Sequence, residues 1–400
     1  MCPATLTLHQ TKTPDTYQSE PIPDAARTEI DRLLSTGDLF RYTAPEGAPV
    51  AMLEAEFAAF MGVRYALAVS SCSAALFLAL KALNLPRGAR VLIPAFTFAA
   101  VPSAVVHADC VPVLVEVGAD FRIDLDDFHA KLDRADAVLI SHMRGQTSDM
   151  DAIMAACSAR DLPLIEDAAH SLGTLWSGNK IGTLGKIGCF SFQSYKMVNA
   201  GEGGMFITDD PELAARAVIM SGAYEHNWKK HAGLQNSFQH WQNRLPLYNM
   251  RMQNLSAAVI RPQIPEIDAR VAAGRANHDF VAARLNISPF INVPPPLPQE
   301  TRAPDSLQFN LLRFDQDEKA RAFQAAAAKR GVTVQVFGLS QDNARAFWNW
   351  QFLDDQPDLP KTRAMLMRAC DLRLPTRLKT EDLELIVTAL LEAVEEVGNT

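Results

Sequence analysis

The sequence predicts an α/β protein with a mainly parallel seven-stranded sheet and a smaller C-terminal α+β domain. Three observations carry this. Between residues 65 and 208, short apolar runs alternate with helical stretches, the order that builds a parallel sheet covered on both faces. Most of the runs are apolar throughout rather than on every second residue, as strands buried on both sides are. A composition break then falls at 286–304, which contains Pro294-Pro295-Pro296, and a shorter strand and helix pattern follows it.

Residues 1–27 read as an N-terminal arm. They are polar, with Pro3, Pro14, Pro21 and Pro23, and helical patterning starts only near Asp24 and runs to about Leu34. A large domain is expected over 28–275. Its strands are expected at 65–69, 90–93, 111–115, 137–141, 163–167, 188–192 and 204–208, with helices at 74–83, 98–107, 125–132 and 150–160 between them. A small domain is expected over 276–400, with strands at 307–314 and 332–336 and helices at 318–330 and 380–397. In such sheets ligand chemistry gathers at the carboxyl ends of the strands.

Composition narrows the function. Among 400 residues, 38 Lys and Arg against 46 Asp and Glu give a net charge of −8, so there is no basic excess to track nucleic-acid phosphates. The cysteines, Cys2, Cys72, Cys110, Cys157, Cys189 and Cys370, are scattered without a CxxC pair. This argues against a disulfide scaffold or zinc ribbon and predicts a cytoplasmic location. No secretory leader is expected at Met1-Cys2-Pro3. The uncharged stretch 91–108 is broken by Pro94, Pro102, Ser103 and His107, so no membrane span is expected.

Three motifs sit at expected strand ends. In Ser70-Ser71-Cys72-Ser73, a strand gives way at once to a helix, whose free N–H groups and serine hydroxyls suit a phosphate; an ordinary serine N-cap is the alternative. In Glu166-Asp167-Ala168-Ala169-His170, a carboxylate at a buried strand end needs a partner. A protonated ring nitrogen, a helix N-terminus, or a metal shared with His170 and His142 would each serve. In Phe190-Ser191-Phe192 through Lys196 to Gly201-Glu202-Gly203-Gly204, a lysine enters a glycine-rich turn, where desolvation makes it a nucleophile and solvation leaves it inert. A phosphate cup, an acid and a lysine are together what pyridoxal 5'-phosphate (PLP) requires.

With those residues the chain resembles the DegT-type aminotransferases, fold-type-I PLP enzymes that aminate keto sugars on nucleotides. The resemblance runs from about Glu29 to Arg275 and also includes Pro94-Ala95-Phe96-Thr97-Phe98, Gly145-Gln146 and Asn249-Met250-Arg251-Met252. It implies that Lys196 carries the cofactor and that Asp167 faces its ring nitrogen. His170 would lie near the ring oxygen, Phe98 against the ring face, and Ser71, Cys72, Ser73 and Ser191 around the phosphate. It further implies a homodimer in which Asn249 reaches the neighbour's phosphate.

Departures from the family pattern include Cys72 in place of glycine, Met197 and Asn199 after the lysine, Leu247, the segment 221–247, and the C-terminal tail with Phe347-Trp348-Asn349-Trp350. Arg41, in the departing Phe40-Arg41-Tyr42, is assigned as a candidate contact to a substrate anion, with a plain surface arginine as the alternative. Tyr195, beside Lys196, is the other candidate substrate contact. The expected function is transfer of an amino group from glutamate or glutamine to a keto acceptor, a nucleotide-linked keto sugar first, a cyclitol or other oxo-compound next. A non-catalytic binding protein on the same fold, and a metal hydrolase using Asp167, His170 and His142, are the rival readings.

Overall fold

In the computed structural model, residues 13–43, 47–231 and 233–399 are described; residues 1–12 of the expected arm lie outside them. The central sheet has seven strands: β1 (Tyr65–Val69), β2 (Arg90–Pro94), β3 (Val111–Val115), β4 (Ala137–Ser141), β5 (Leu164–Asp167), β6 (Ile187–Ser191) and β7 (Gly204–Thr208). Their order is β1-β7-β6-β5-β4-β2-β3. Every pairing is parallel except those of β7, which runs antiparallel to both β1 and β6. All seven expected strands are present, within about a residue at each end.

Two apolar clusters cover the sheet. One packs the helix Cys72–Ala82, almost wholly buried, with Pro211–Met220 against one face. On the other lie Phe57, Phe190, Phe192 and Trp176 with the helix Pro49–Met61. Burial of this extent is the dominant favourable term in folding. The C-terminal part forms a separate four-stranded antiparallel sheet from Ile291–Asn292, Ser306–Leu311, Gln335–Val336 and Ala369–Arg373. The helices Asp317–Lys329 and Thr380–Gly398 pack on it around Phe309 and Phe323. The helix Ile267–Leu285 runs through position 275, so the chain passes between the two parts along continuous helix rather than a linker. The strand expected at 332–336 is shorter, because Val332 and Val334 turn into the third cluster before pairing starts at Gln335.

No helix among the described residues is long and apolar enough to cross a membrane.

Candidate active site

A cavity of about 460 Å³ opens at the carboxyl ends of the parallel strands. Ser71, Cys72, Ser73, Phe98, Asp167, His170, Ser191, Tyr195 and Lys196 all line it. Strand geometry explains how they meet. Successive residues of β5 point to opposite faces. Glu166 therefore turns away from the cavity, where it accepts hydrogen bonds from the N–H groups of Gly182, Leu184 and Gly185 (2.9, 2.7 and 2.7 Å). Asp167 turns into it.

Asp167 is buried, yet no cationic side chain pairs with it among the described residues. It is held instead by neutral donors. Ser141 Oγ donates to its Oδ2 at 2.7 Å, and Thr97 Oγ1 donates to Ser141 Oγ at 2.9 Å. The Ala169 N–H donates to Oδ1 at 3.1 Å, and the Cys72 thiol lies 3.8 Å from the same oxygen. The carboxylate pushes the Cys72 thiol further up after burial has already raised it, so Cys72 stays protonated.

Lys196 follows β6 on a tight turn, its backbone N–H donating to the Gln193 carbonyl at 2.9 Å. The turn brings its Nζ to 2.7 Å from His170 Nε2. Burial, then the field of Arg144, pulls the Lys196 amine down to about 7, so a substantial fraction is neutral near neutral pH. Burial and Lys196 hold His170 well below the ordinary histidine range, which leaves its ring neutral and able to accept from the lysine. A neutral amine in a cavity wall is competent as a nucleophile and as a proton carrier.

The phosphate side is built by packing. Ser71 caps the helix Cys72–Ala82, its hydroxyl accepting from the Ala74 N–H at 3.1 Å, so the N-cap reading of this serine holds in the geometry. The same turn aims the helix N-terminus at the cavity, where Ser73 and Ser191 also stand. Gly204 on β7 packs against this turn: a Cβ there would fall 2.3 Å from the Ser71 carbonyl carbon. Phe98 stands in the wall with 45% of its surface exposed, available to a flat ligand.

Two expected residues are not in this cavity. Arg41 is a correction: its guanidinium is buried and donates from Nη2 to both carboxylate oxygens of Glu54 (2.7 and 2.9 Å), and from Nη1 to Ala68 O at 3.3 Å. It is neither a surface arginine nor placed to meet a substrate, because its charge is already matched within the core. Asn249 is exposed and lies outside the cavity of its own chain. The metal alternative is not assembled either: His142 bonds Glu166 at 3.1 Å on the far side of β5, and no cluster of three metal-ligating side chains occurs among the described residues.

The cavity also holds residues that the sequence reading missed: Arg144, Arg345, Arg373 and Tyr17. Arg144 adjoins the Gly145-Gln146 match and has a left-handed backbone (φ 57°), a conformation uncommon in non-glycine residues. The other three stand outside every motif, and nothing local marks them.

A mainly parallel sheet carrying a half-buried lysine, an unpaired carboxylate and a helix N-terminus at one strand-end cavity defines an aminotransferase-like α/β architecture. The chain belongs to the DegT/DnrJ/EryC1/StrS aminotransferase family, whose model matches residues 27–391. It is 34% identical to the spore coat polysaccharide biosynthesis protein SpsC of Bacillus subtilis (strain 168), over 66% of this chain and 68% of that one. It is 31% identical to the GDP-perosamine synthase of Vibrio cholerae, over 58% of this chain and 62% of the relative. Among solved structures, that of 3-amino-5-hydroxybenzoic acid synthase superposes with a TM-score of 0.84 at 24% identity, covering 96% of this chain and all (100%) of that one, a likeness of fold.

Proposed function

We propose that the protein is a PLP-dependent aminotransferase that moves an amino group from glutamate or glutamine to a keto acceptor, a nucleotide-linked keto sugar being the first candidate. One observation carries this: the amine of Lys196 and the carboxylate of Asp167, delivered by the adjacent strands β6 and β5, face one cavity beside the helix start at Ser71. The residues fit the cofactor chemically. Asp167 lacks a cationic partner and would favour a protonated pyridine nitrogen; Ser71, Cys72, Ser73 and Ser191, which line the same cavity, would hold the phosphate; Phe98 would offer a ring face. When bound, PLP supplies the electron sink for the carbanion at the donor's α-carbon.

The chain's own groups do the rest. Lys196 would anchor the cofactor, and its amine would carry a proton away from the donor's α-carbon and return one on the product side. His170, kept neutral, accepts from the Lys196 amine and holds it in place. The Thr97–Ser141 hydroxyl pair fixes the Asp167 carboxylate. The similarity to a GDP-perosamine synthase supports a nucleotide-linked acceptor.

We further place the enzyme in the cytoplasm as a homodimer with Asn249 serving the partner's cofactor site; the exposure of Asn249 and its place outside its own chain's cavity support that assignment. The test of the activity is spectroscopic. Mixing the PLP-loaded protein with glutamate or glutamine should bleach the cofactor's visible band and release the matching 2-oxo acid, and Lys196→Ala should do neither. A protein that binds PLP but turns over no amino donor would instead be a binding module.

A further inference from the structure

Asn199, a departure from the family pattern shortly after Lys196, is buried with every polar group engaged. Its backbone N–H donates to Gln263 Oε1 at 3.1 Å, and its carbonyl accepts from Gln263 Nε2 at 2.7 Å. Its Oδ1 accepts from the Gly201 N–H at 3.1 Å, which closes the glycine turn. Its Nδ2 donates at 2.7 Å to the carbonyl of Glu20, in the N-terminal arm, 179 positions away in the chain.

The arm meets the other side of the lysine as well. The ring of Tyr17 stands edge-on to that of Tyr195, with centroids 6.4 Å apart and planes at 82°, and Tyr17 lines the cavity. The arm therefore touches both the residue before Lys196 and a residue that follows it. It is also tied to the small domain: Glu20 Oε1 accepts from Thr376 Oγ1 at 3.1 Å, and Arg377 Nη2 donates to the Asp15 carbonyl at 2.8 Å. The Tyr17 N–H donates to Asp15 Oδ1 at 2.9 Å, which fixes the backbone that carries the ring. Chain ends are poorly ordered unless tied down, and this one is tied on both sides of the lysine turn. Placement there matters, because a reacting group misplaced by about 1 Å costs rate up to about 10²-fold.

We propose that Asn199 and the N-terminal arm clamp the lysine turn: Asn199 is a positioning residue that pins the arm at Glu20, and the arm, through Tyr17 against Tyr195, fixes where the Lys196 amine stands. The inference rests on the aminotransferase reading and deepens it. The bond from Gly201 to Asn199 Oδ1 is enough to close the turn. The bond to Glu20 does nothing for the turn itself; it crosses to the segment that sends Tyr17 into the cavity.

The test uses the full chain loaded with PLP. Asn199→Asp keeps the size and the acceptor for Gly201 but sets a carboxylate oxygen against the Glu20 carbonyl. Hydrogen exchange of the amides of residues 13–23 should rise at least about tenfold in this variant, the range for a lost buried hydrogen bond. In single turnover with glutamate or glutamine, bleaching of the cofactor's visible band should slow at least about tenfold. Tyr17→Ala should slow it comparably, and Tyr17→Phe, which keeps the ring, should recover most of that loss. Since both residues act through one clamp, the Asn199→Asp/Tyr17→Ala double variant should be no slower than the slower single variant. Unchanged exchange of the arm in Asn199→Asp, or rate losses that multiply in the double variant, overturns the clamp. A loss in Tyr17→Phe equal to that in Tyr17→Ala also overturns it, by assigning Tyr17 to a ligand through its hydroxyl. Should Asn199→Asp not fold, exchange at residues 196–201 decides: a rise in Tyr17→Ala with recovery in Tyr17→Phe supports the clamp, and no rise overturns it. Borohydride mapping on the same preparations separates the two levels. No label on Lys196 overturns the aminotransferase reading, whereas a label on Lys196 with unmoved exchange overturns only the clamp.

Discussion

Asp167 and Lys196 are each held in an unusual state by ordinary neighbours. Three donors and no paired cation surround the carboxylate, so no side chain among the described residues neutralises its charge by direct contact. Asp167→Asn keeps the shape and removes that charge, and steady-state turnover should fall at least ~10²-fold. The amine of Lys196 titrates at about 7 in the folded chain against 10.5 for a free lysine, so between those values the unfolded chain binds the extra proton. Stability therefore rises with pH across this window. In cofactor-free protein, Lys196→Met should be more resistant to urea than wild type at pH 6, and the gap should narrow as pH climbs from 7 towards 10; a constant gap would show that the amine is not desolvated. These two residues were legible in the sequence because each sits in a short motif at a strand end. Arg144, Arg345 and Arg373 were not, since only tertiary folding brings together positions so far apart in the chain, and a lone arginine carries no local pattern. Arg41 misled for the same reason: its partner Glu54 is 13 positions away, and no pattern declares the pair.

At the scale of elements, that pair ties the chain before the helix Pro49–Met61 to β1, because Glu54 also accepts from the Ala68 N–H at 2.8 Å and Arg41 donates to the Ala68 carbonyl. Breaking a buried ion pair from one side leaves the other charge uncompensated. Arg41→Ala should lose about 3–5 kcal/mol of stability in denaturant titrations, with the KM for the amino donor unchanged. The glycine turn makes a second prediction. Gly201, Gly203 and Gly204 read in sequence as permitting close approach, and the structure divides that role. Gly201 supplies a positive φ of 73° with open space around it, whereas Gly204 is the residue pressed on the Ser71 turn. Gly204→Ala must displace that backbone, so PLP affinity should fall while Gly201→Ala acts through backbone strain alone. Equal PLP affinity in Gly204→Ala and wild type would show that the turn does not shape the phosphate site. The small strands at 175–176, 179–180 and 300–301 were invisible in the sequence, because two-residue strands carry no periodicity.

For the whole molecule, the seven-stranded sheet was legible because each strand is a buried apolar run with polar punctuation, whereas the order of the strands is set by pairings between distant segments that carry no local pattern. The helices Pro49–Met61 and Ile267–Leu285 went unnoticed, the first being apolar on most sides and the second lacking a clear apolar stripe. The proposed homodimer gives Asn249 its test. Lys196→Ala subunits mixed with Asn249→Ala subunits should form heterodimers in which one site joins Lys196 of one chain to Asn249 of the other, and that site should regain wild-type PLP affinity; no recovery in proven heterodimers would confine Asn249 to its own subunit. All of this depends on one covalent fact, the residue that carries the cofactor. Borohydride reduction of the PLP-loaded protein, followed by peptide mapping, reads it directly. The account predicts a single pyridoxyl group on Lys196. A label on any other lysine, or none, would contradict it.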